Sequence, residues 1–214
     1  MSSLFRKGRT KTLNINKKKM TKEIKLPKPK QKGIISIEET FNKRRSVRDY
    51  KNGALSLEQV SQLLWAGSGK NLFRKTAPSA GATYPLEIYL AVGEVEGLEP
   101  GIYHYSSPKH SLKMREEEDV RNKLSRAALG QEMIEEAPIC IIIAADYGRT
   151  TGHYGQRGNR YVHMEVGHVG QNVSLQAISL NLGTVMIGAF GDEEVKEVLG
   201  IKEEPLYIIP VGKI

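Results

Sequence analysis

An α+β fold is expected from three features of the 214-residue sequence. Helix-like and strand-like segments follow one another without the regular βα alternation of a parallel sheet. Leu86–Val92 alternates apolar and polar residues in the manner of a half-buried strand, and Ile139–Ala145 is apolar throughout, as a strand covered on both faces must be. The longest periodic segment, Tyr161 to about Leu182, repeats apolar residues at steps of three and four and reads as a helix.

The elements can be justified in order. Lys25 to Gly33 holds Pro27 and Pro29 among lysines and reads as an extended linker. Ser36-Ile37-Glu38-Glu39 fits a capping box, opening a short helix to about Arg44. Ser56-Leu57-Glu58-Gln59 fits a second, whose helix stops near Gly67 and Gly69. After the Leu86–Val92 strand, Ile102–Tyr105 and Ser111–Met114 form a hairpin around Pro108. Glu116 to about Leu129 reads as an amphipathic helix with acids in its first turn. In the long helix, Val162, Val166, Val169, Val173, Ala177 and Leu180 form one stripe. Leu175, Ile178 and Leu182 add a second, which points to a subunit interface. A strand at Thr184–Ile187, a helix begun by Asp192 and a strand at Leu206–Val211 complete the chain.

Charge is divided unevenly. Residues 1–33 carry twelve Lys or Arg and one acid, Glu23, for a net +11, whereas residues 34–214 carry −3. Residues 1–33 are therefore expected to be a basic, disordered arm, and 34–214 the folded domain. The arm could hold a polyanion, but it lacks interleaved aromatics and any nucleic-acid motif, so no nucleic-acid partner is expected. No apolar run nears the ~20 residues of a membrane span, and no apolar stretch follows the basic N-terminus as in a signal peptide. A cytoplasmic protein with no membrane partner is expected. Cys140, the single cysteine, rules out an internal disulfide and reads as a core residue.

Three segments could carry chemistry. Arg44-Arg45-Ser46-Val47-Arg48-Asp49-Tyr50 sets three guanidiniums within five residues at a helix end. They repel one another unless an anion or carboxylates join them; arginine forks grip phosphate, and Ser46 adds a donor. A solvated helix end paired to Asp49 fits equally well. Pro78 to Pro85 sets small residues between prolines, so a flat heterocycle could approach the main chain, with Ser79 and Thr83 as further donors. An ordinary tight turn is the alternative. Gly188-Ala189-Phe190-Gly191-Asp192 is either a second place of close approach or a capped strand-to-helix turn. A P-loop, a Rossmann GxGxxG, a Gly-x-Ser-x-Gly elbow and an HExxH are all missing. His163 and His168 stand five apart, a poor spacing for a shared metal, and no metal is expected.

Taken in order, these segments resemble the nitroreductase family. Arg44–Tyr50 is similar to its Arg-Arg-Ser-x-Arg-x-[Tyr/Phe] opening, and Pro78–Pro85 to the Pro-Ser-Ala-Gly-x-x-Tyr-Pro loop of its streptolysin-type, azoline dehydrogenase-like branch. Gly101–Tyr105, Gly155–Tyr161, Glu165–Asn172 and Glu204–Lys213 extend the match. The resemblance implies a mixed, largely antiparallel sheet flanked by helices, in a homodimer with FMN at the interface. It implies that Arg44, Arg45, Ser46, Arg48 and Lys213 bind FMN. Ser79, Ala80, Gly81 and Gln171 or Asn172 would come from the other subunit, and Ile187, Gly188 and Ala189 would lie beside the ring. It also implies NAD(P)H as electron donor, a small-molecule acceptor of the nitroaromatic or quinone-like class, and a ping-pong oxidoreductase. Oxidation of peptide azolines to azoles is a second reading, with Tyr161 as the catalytic residue. There this chain departs: azoline dehydrogenases of the branch place Lys-Tyr where Arg160-Tyr161 stands, and arginine is a poor general base. A flavin- or polyanion-binding protein without turnover is the non-enzymatic alternative.

Overall fold

The computed structural model describes residues 23–214. In chain order the elements are β1 (Glu23–Lys25), α1 (Ile37–Lys43), α2 (Leu57–Ser68), a 3-10 turn (Ala80–Ala82), β2 (Leu86–Val92), β3 (Gly101–Ser106), β4 (Ser111–Glu116), α3 (Arg121–Ala127), α4 (Met133–Glu136), β5 (Ile139–Ala145), α5 (Gly148–Tyr154), α6 (Arg157–Ser179), β6 (Leu182–Thr184), α7 (Asp192–Leu199) and β7 (Glu204–Lys213). The strands form one sheet in the order β1-β4-β3-β2-β5-β7-β6. Its strand pairs are all antiparallel among the described residues, so the sheet is not mixed.

Strand β5 lies between β2 and β7, and its alternation divides the core. Ile139, Ile141 and Ile143 point to the side covered by Leu63 and Leu64 of α2 and by Val162, Val166, Val169 and Val173 of α6. Cys140 and Ile142 point to the side covered by α3, α4 and α7 through Leu124, Ile134, Val195 and Leu199. A strand with no solvent face must be apolar at every position, which is what Ile139–Ala145 shows. The Cys140 thiol is fully buried, donates to the Ile134 carbonyl at 3.2 Å and is pushed well up from the usual thiol range by that burial. It is a core residue.

Several expected boundaries move. Glu116 belongs to β4, opposite Ile102, and the helix begins only at Arg121. The acids before it do not occupy its first turn; Asp119 instead accepts from the backbone and guanidinium of Arg121. Helix α6 starts four residues before Tyr161 and ends at Ser179, so Leu182 leaves its second stripe and enters β6. Beyond Thr184 the expected strand survives only as a bridge between Ile187 and Ile208.

The largest correction concerns the N-terminal arm. Residues 1–22 lie outside the described residues, but 23–33 are not a free linker. β1 pairs with β4, and Leu26 is buried. The Lys30 N–H donates to Gln62 Oε1 at 2.8 Å, and the Gln62 amide returns a bond to the Lys30 carbonyl at 3.0 Å. Prolines exclude helix here, as expected, yet an extended strap can still be held through its backbone.

His110 fastens this strap. Its Nε2 lies 3.0 Å from the Pro27 carbonyl and 2.8 Å from Ser61 Oγ, and its Nδ1 lies 2.8 Å from the Tyr105 hydroxyl. A neutral ring protonated at Nε2 satisfies every partner: it donates toward Pro27 and accepts from Tyr105. Burial lowers the His110 pKa, and the bond to Pro27 offsets that only partly. The unfolded histidine takes up its proton near pH 6.5, whereas the folded one resists. The unfolded state then binds more protons, so stability is complete above that pH and is lost as pH falls below it. We predict that Tm drops between about pH 7 and about pH 5, and that His110→Asn, which tolerates the positive φ of this turn, flattens the drop. Thermal melts across that range check it; an unchanged profile in the variant would place the acid sensitivity elsewhere.

Candidate functional site

The arginine segment runs across the end of the sheet. Arg44 caps α1, donating its N–H to the Thr40 carbonyl at 3.0 Å, in extended conformation. The Val47 N–H donates to Thr184 of β6 at 3.0 Å and the Lys51 N–H to Lys213 of β7 at 2.9 Å. Val47 is buried, while Arg44, Arg45, Ser46 and Arg48 are exposed. Beneath the segment Gly183 and Gly212 stand opposite each other in the β6–β7 ladder. Val47 rests on the first and Tyr50 on the second: a Cβ on either glycine would lie 2.7 Å from their carbon atoms. The Tyr50 hydroxyl donates to the Val47 carbonyl at 3.0 Å and lies 3.3 Å from the Pro210 carbonyl. Among the described residues none of the three guanidiniums has an ion-pair or hydrogen-bond partner, Asp49 included.

The Pro78–Pro85 loop is built around a 3-10 turn. Gly81 (φ 57) sits where glycine is favoured, and a Cβ there would also lie 2.6 Å from the Tyr154 hydroxyl. The side chains expected to serve as donors are engaged within the protein. Ser79 Oγ accepts from the Tyr84 N–H at 2.9 Å and lowers the Glu165 pKa, against the larger effect of burial. Thr83 Oγ1 donates to the Ala80 carbonyl at 3.0 Å and pairs with Thr150 Oγ1 at 2.8 Å. The backbone N–H groups of Ala80 and Gly81 have no partner among the described residues. The loop offers main-chain donors rather than hydroxyls.

Two ionisable groups behind the loop escaped the sequence reading. Glu165 of α6 is only 5% exposed, and its pKa is raised by that burial despite Ser79 and the positive charge of Lys75. Lys75 shifts down, again chiefly by desolvation, with Glu165 and Glu87 opposing. Glu165 stood inside a quoted motif, but nothing in the sequence placed a lysine so far away along the chain beside it.

The remaining expected site residues are spread out. Asn172 and Lys213 line one groove of about 1050 Å³ together with Lys28, Lys30 and Lys32 of the strap. Ser79 and Gly81 line a different cavity of about 610 Å³. Gln171 is exposed on the outer face of α6. Ile187 is buried, and Gly188 and Ala189 are exposed, the Ala189 carbonyl accepting from Gln131 at 2.8 Å. The Tyr161 ring meets Tyr154 edge-on at 5.0 Å and so neighbours the Gly81 loop. Within one chain, then, the arginines and Lys213 come together at the β6–β7 end, and the serine–glycine loop lies apart.

Known proteins are similar to this chain in sequence and fold. A model described as the nitroreductase family matches residues 42–213. A protein of Methanocaldococcus jannaschii, named as a candidate nitroreductase, is 53% identical over 195 residues, covering 90% of this chain and 97% of its own. The trifolitoxin-processing protein TfxB of Rhizobium leguminosarum is 32% identical over 120 residues, 54% of this chain and 32% of its own. A crystal structure of a candidate nitroreductase from Ralstonia eutropha superposes with a TM-score of 0.77 at 27% identity, covering 89% of each chain. One from Anabaena variabilis gives 0.75 at 36% identity, covering 83% of this chain but 38% of that one.

Proposed function

The chain belongs to the nitroreductase family, and on that premise we propose that it is a cytoplasmic FMN-dependent oxidoreductase. It works as a homodimer and passes electrons from NAD(P)H to a small nitroaromatic or quinone-like acceptor. The carrying observation is the Arg44–Arg48 segment, bonded through its backbone to the β6–β7 end that carries Lys213, with three exposed guanidiniums and no counter-charge among the described residues. Like charges fixed together cost stability unless an anion joins them, and a phosphate monoester accepts several arginine bonds at once. Arg44, Arg45, Ser46, Arg48 and Lys213 therefore fit the phosphate and pyrimidine side of FMN. The unpaired N–H groups of Ala80 and Gly81 fit ring carbonyls.

The loop lines a different cavity from the one Lys213 lines, which supports a site whose second half comes from a second protomer. Exposed apolar side chains support pairing: Ile34 is 97% exposed, and Ile37 and Phe41, one turn apart on α1, are 52% and 56% exposed. Bound FMN supplies the two-electron carrier between donor and acceptor. The chain's own residues bind its phosphate, present main-chain donors and set positive charge beside the ring. Likeness to the trifolitoxin-processing protein TfxB is compatible with a second reading, oxidation of peptide azolines. Arg160 is a poor general base, and Tyr161 is the group proposed to assist.

The full chain, purified, should show a flavin spectrum and the mass of two chains. A colourless protein that takes up no added FMN would overturn this reading.

A further inference from the structure

The cavity beside the Ser79–Gly81 loop has a wall that none of the flavin motifs uses. Phe73 and Arg74 stand on a tight loop closed by a bridge between Lys70 and Lys75. Asn71 builds it: Oδ1 accepts from the N–H groups of Phe73 at 2.9 Å and Arg74 at 2.7 Å, and Nδ2 donates to the Lys75 carbonyl at 2.9 Å. The Phe73 ring is 90% exposed on this pinned backbone. A phenyl ring held out in water is unfavourable, and covering it with a ligand recovers the loss. Tyr84 also lines the cavity, fixed at φ 47 by bonds at its N–H to Ser79 Oγ and at its carbonyl from Arg149. Lys75 lies 4.9 Å over the Tyr84 ring and donates to Ser68 Oγ at 3.4 Å, with Glu165 and Glu87 favouring its charge, and Arg149 joins Glu87 and Asp146. The Arg74 guanidinium has no partner among the described residues.

We propose that this cavity is the acceptor subsite and that it selects planar aromatic molecules carrying a carboxylate. Phe73 and Tyr84 supply the ring contacts, and Arg74 takes the carboxylate through its two-pronged donor face. The word acceptor rests on the oxidoreductase reading above; the binding itself does not require flavin. Equilibrium dialysis of the full chain against 4-nitrobenzoate and nitrobenzene tests it, with flavin content read by absorbance on the same samples. Wild type should hold 4-nitrobenzoate more tightly than nitrobenzene. Arg74→Gln should weaken 4-nitrobenzoate by roughly tenfold and leave nitrobenzene unchanged. Phe73→Ala should weaken both, and neither variant should alter Tm or flavin content. Equal wild-type affinities, or an Arg74→Gln protein that binds 4-nitrobenzoate as the wild type does, would overturn the subsite. A flavin-free protein that keeps the Arg74 dependence would sink the oxidoreductase reading and leave the subsite standing.

Discussion

Gly212→Ala should lower Tm by about 4–12 °C and release most of the bound flavin, although Gly212 is not itself among the proposed flavin-binding residues. The added methyl would lie 2.7 Å from Tyr50 Cγ and Cδ1 and 2.9 Å from its Cβ. The ring cannot swing aside cheaply, because its hydroxyl is bonded to the Val47 carbonyl and lies beside that of Pro210. Overpacking and a loosened buried hydroxyl together cost roughly 2–3 kcal/mol, which for a chain of this size is the stated fall in Tm. Displacing Tyr50 moves Val47 and with it the arginines on either side. Gly152→Ala is the control: that glycine lies in α5 with nothing within 4 Å of its Cβ position, and helix propensity makes the change neutral to stabilising. Differential scanning calorimetry and the flavin-to-protein absorbance ratio read both effects. A Gly212→Ala protein that melts and binds flavin like the wild type would show that the two-glycine platform does not position the arginines.

This platform shows what the sequence could and could not disclose. The arginine motif was legible because its charges are local, and the Ser56 capping box and the Ile139–Ala145 strand were legible because each is a pattern of neighbours. Gly183 and Gly212 acquire meaning only from a cross-strand register between distant segments. The strap was misread for a related reason. Its composition is that of a linker, while the atoms that hold it, the Pro27 carbonyl and the Lys30 N–H, are present in every sequence of that kind. Glu116–Asp119 has the charge of a first helical turn, yet pairing with Ile102 takes Glu116 into the sheet and Arg121 takes Asp119. Ser79 was read as a donor from its type alone; Glu165 and Tyr84 decide what its hydroxyl does. Where partners came from afar, residue type misled.

Replacing Arg44 or Arg48 with alanine should weaken FMN binding by about 1.5–3 kcal/mol, the loss of a charge-assisted hydrogen bond, or roughly ten- to a hundredfold in Kd. Neither change should disturb folding, because both side chains are exposed and unpartnered among the described residues while Val47 carries the packing between them. Riboflavin separates the roles. It lacks the phosphate, so an arginine on the phosphate matters for FMN and hardly at all for riboflavin, whereas one on the ring matters equally for both. We assign Arg45 to the ring. A cation at the pyrimidine edge stabilises the anionic reduced flavin, so Arg45→Ala should weaken both ligands and also lower the midpoint potential. Added salt should shrink the phosphate contribution, since the arginine side chains are exposed in the single chain. Titration of wild type and the three single variants with FMN and riboflavin, followed by a reductive titration of Arg45→Ala, gives every quantity needed. If all three variants bind FMN as the wild type does, the guanidiniums are a solvated helix end and the cofactor is held elsewhere. If FMN affinity falls but riboflavin affinity falls equally in all three, the cluster faces the ring alone and Lys213 becomes the phosphate ligand to test.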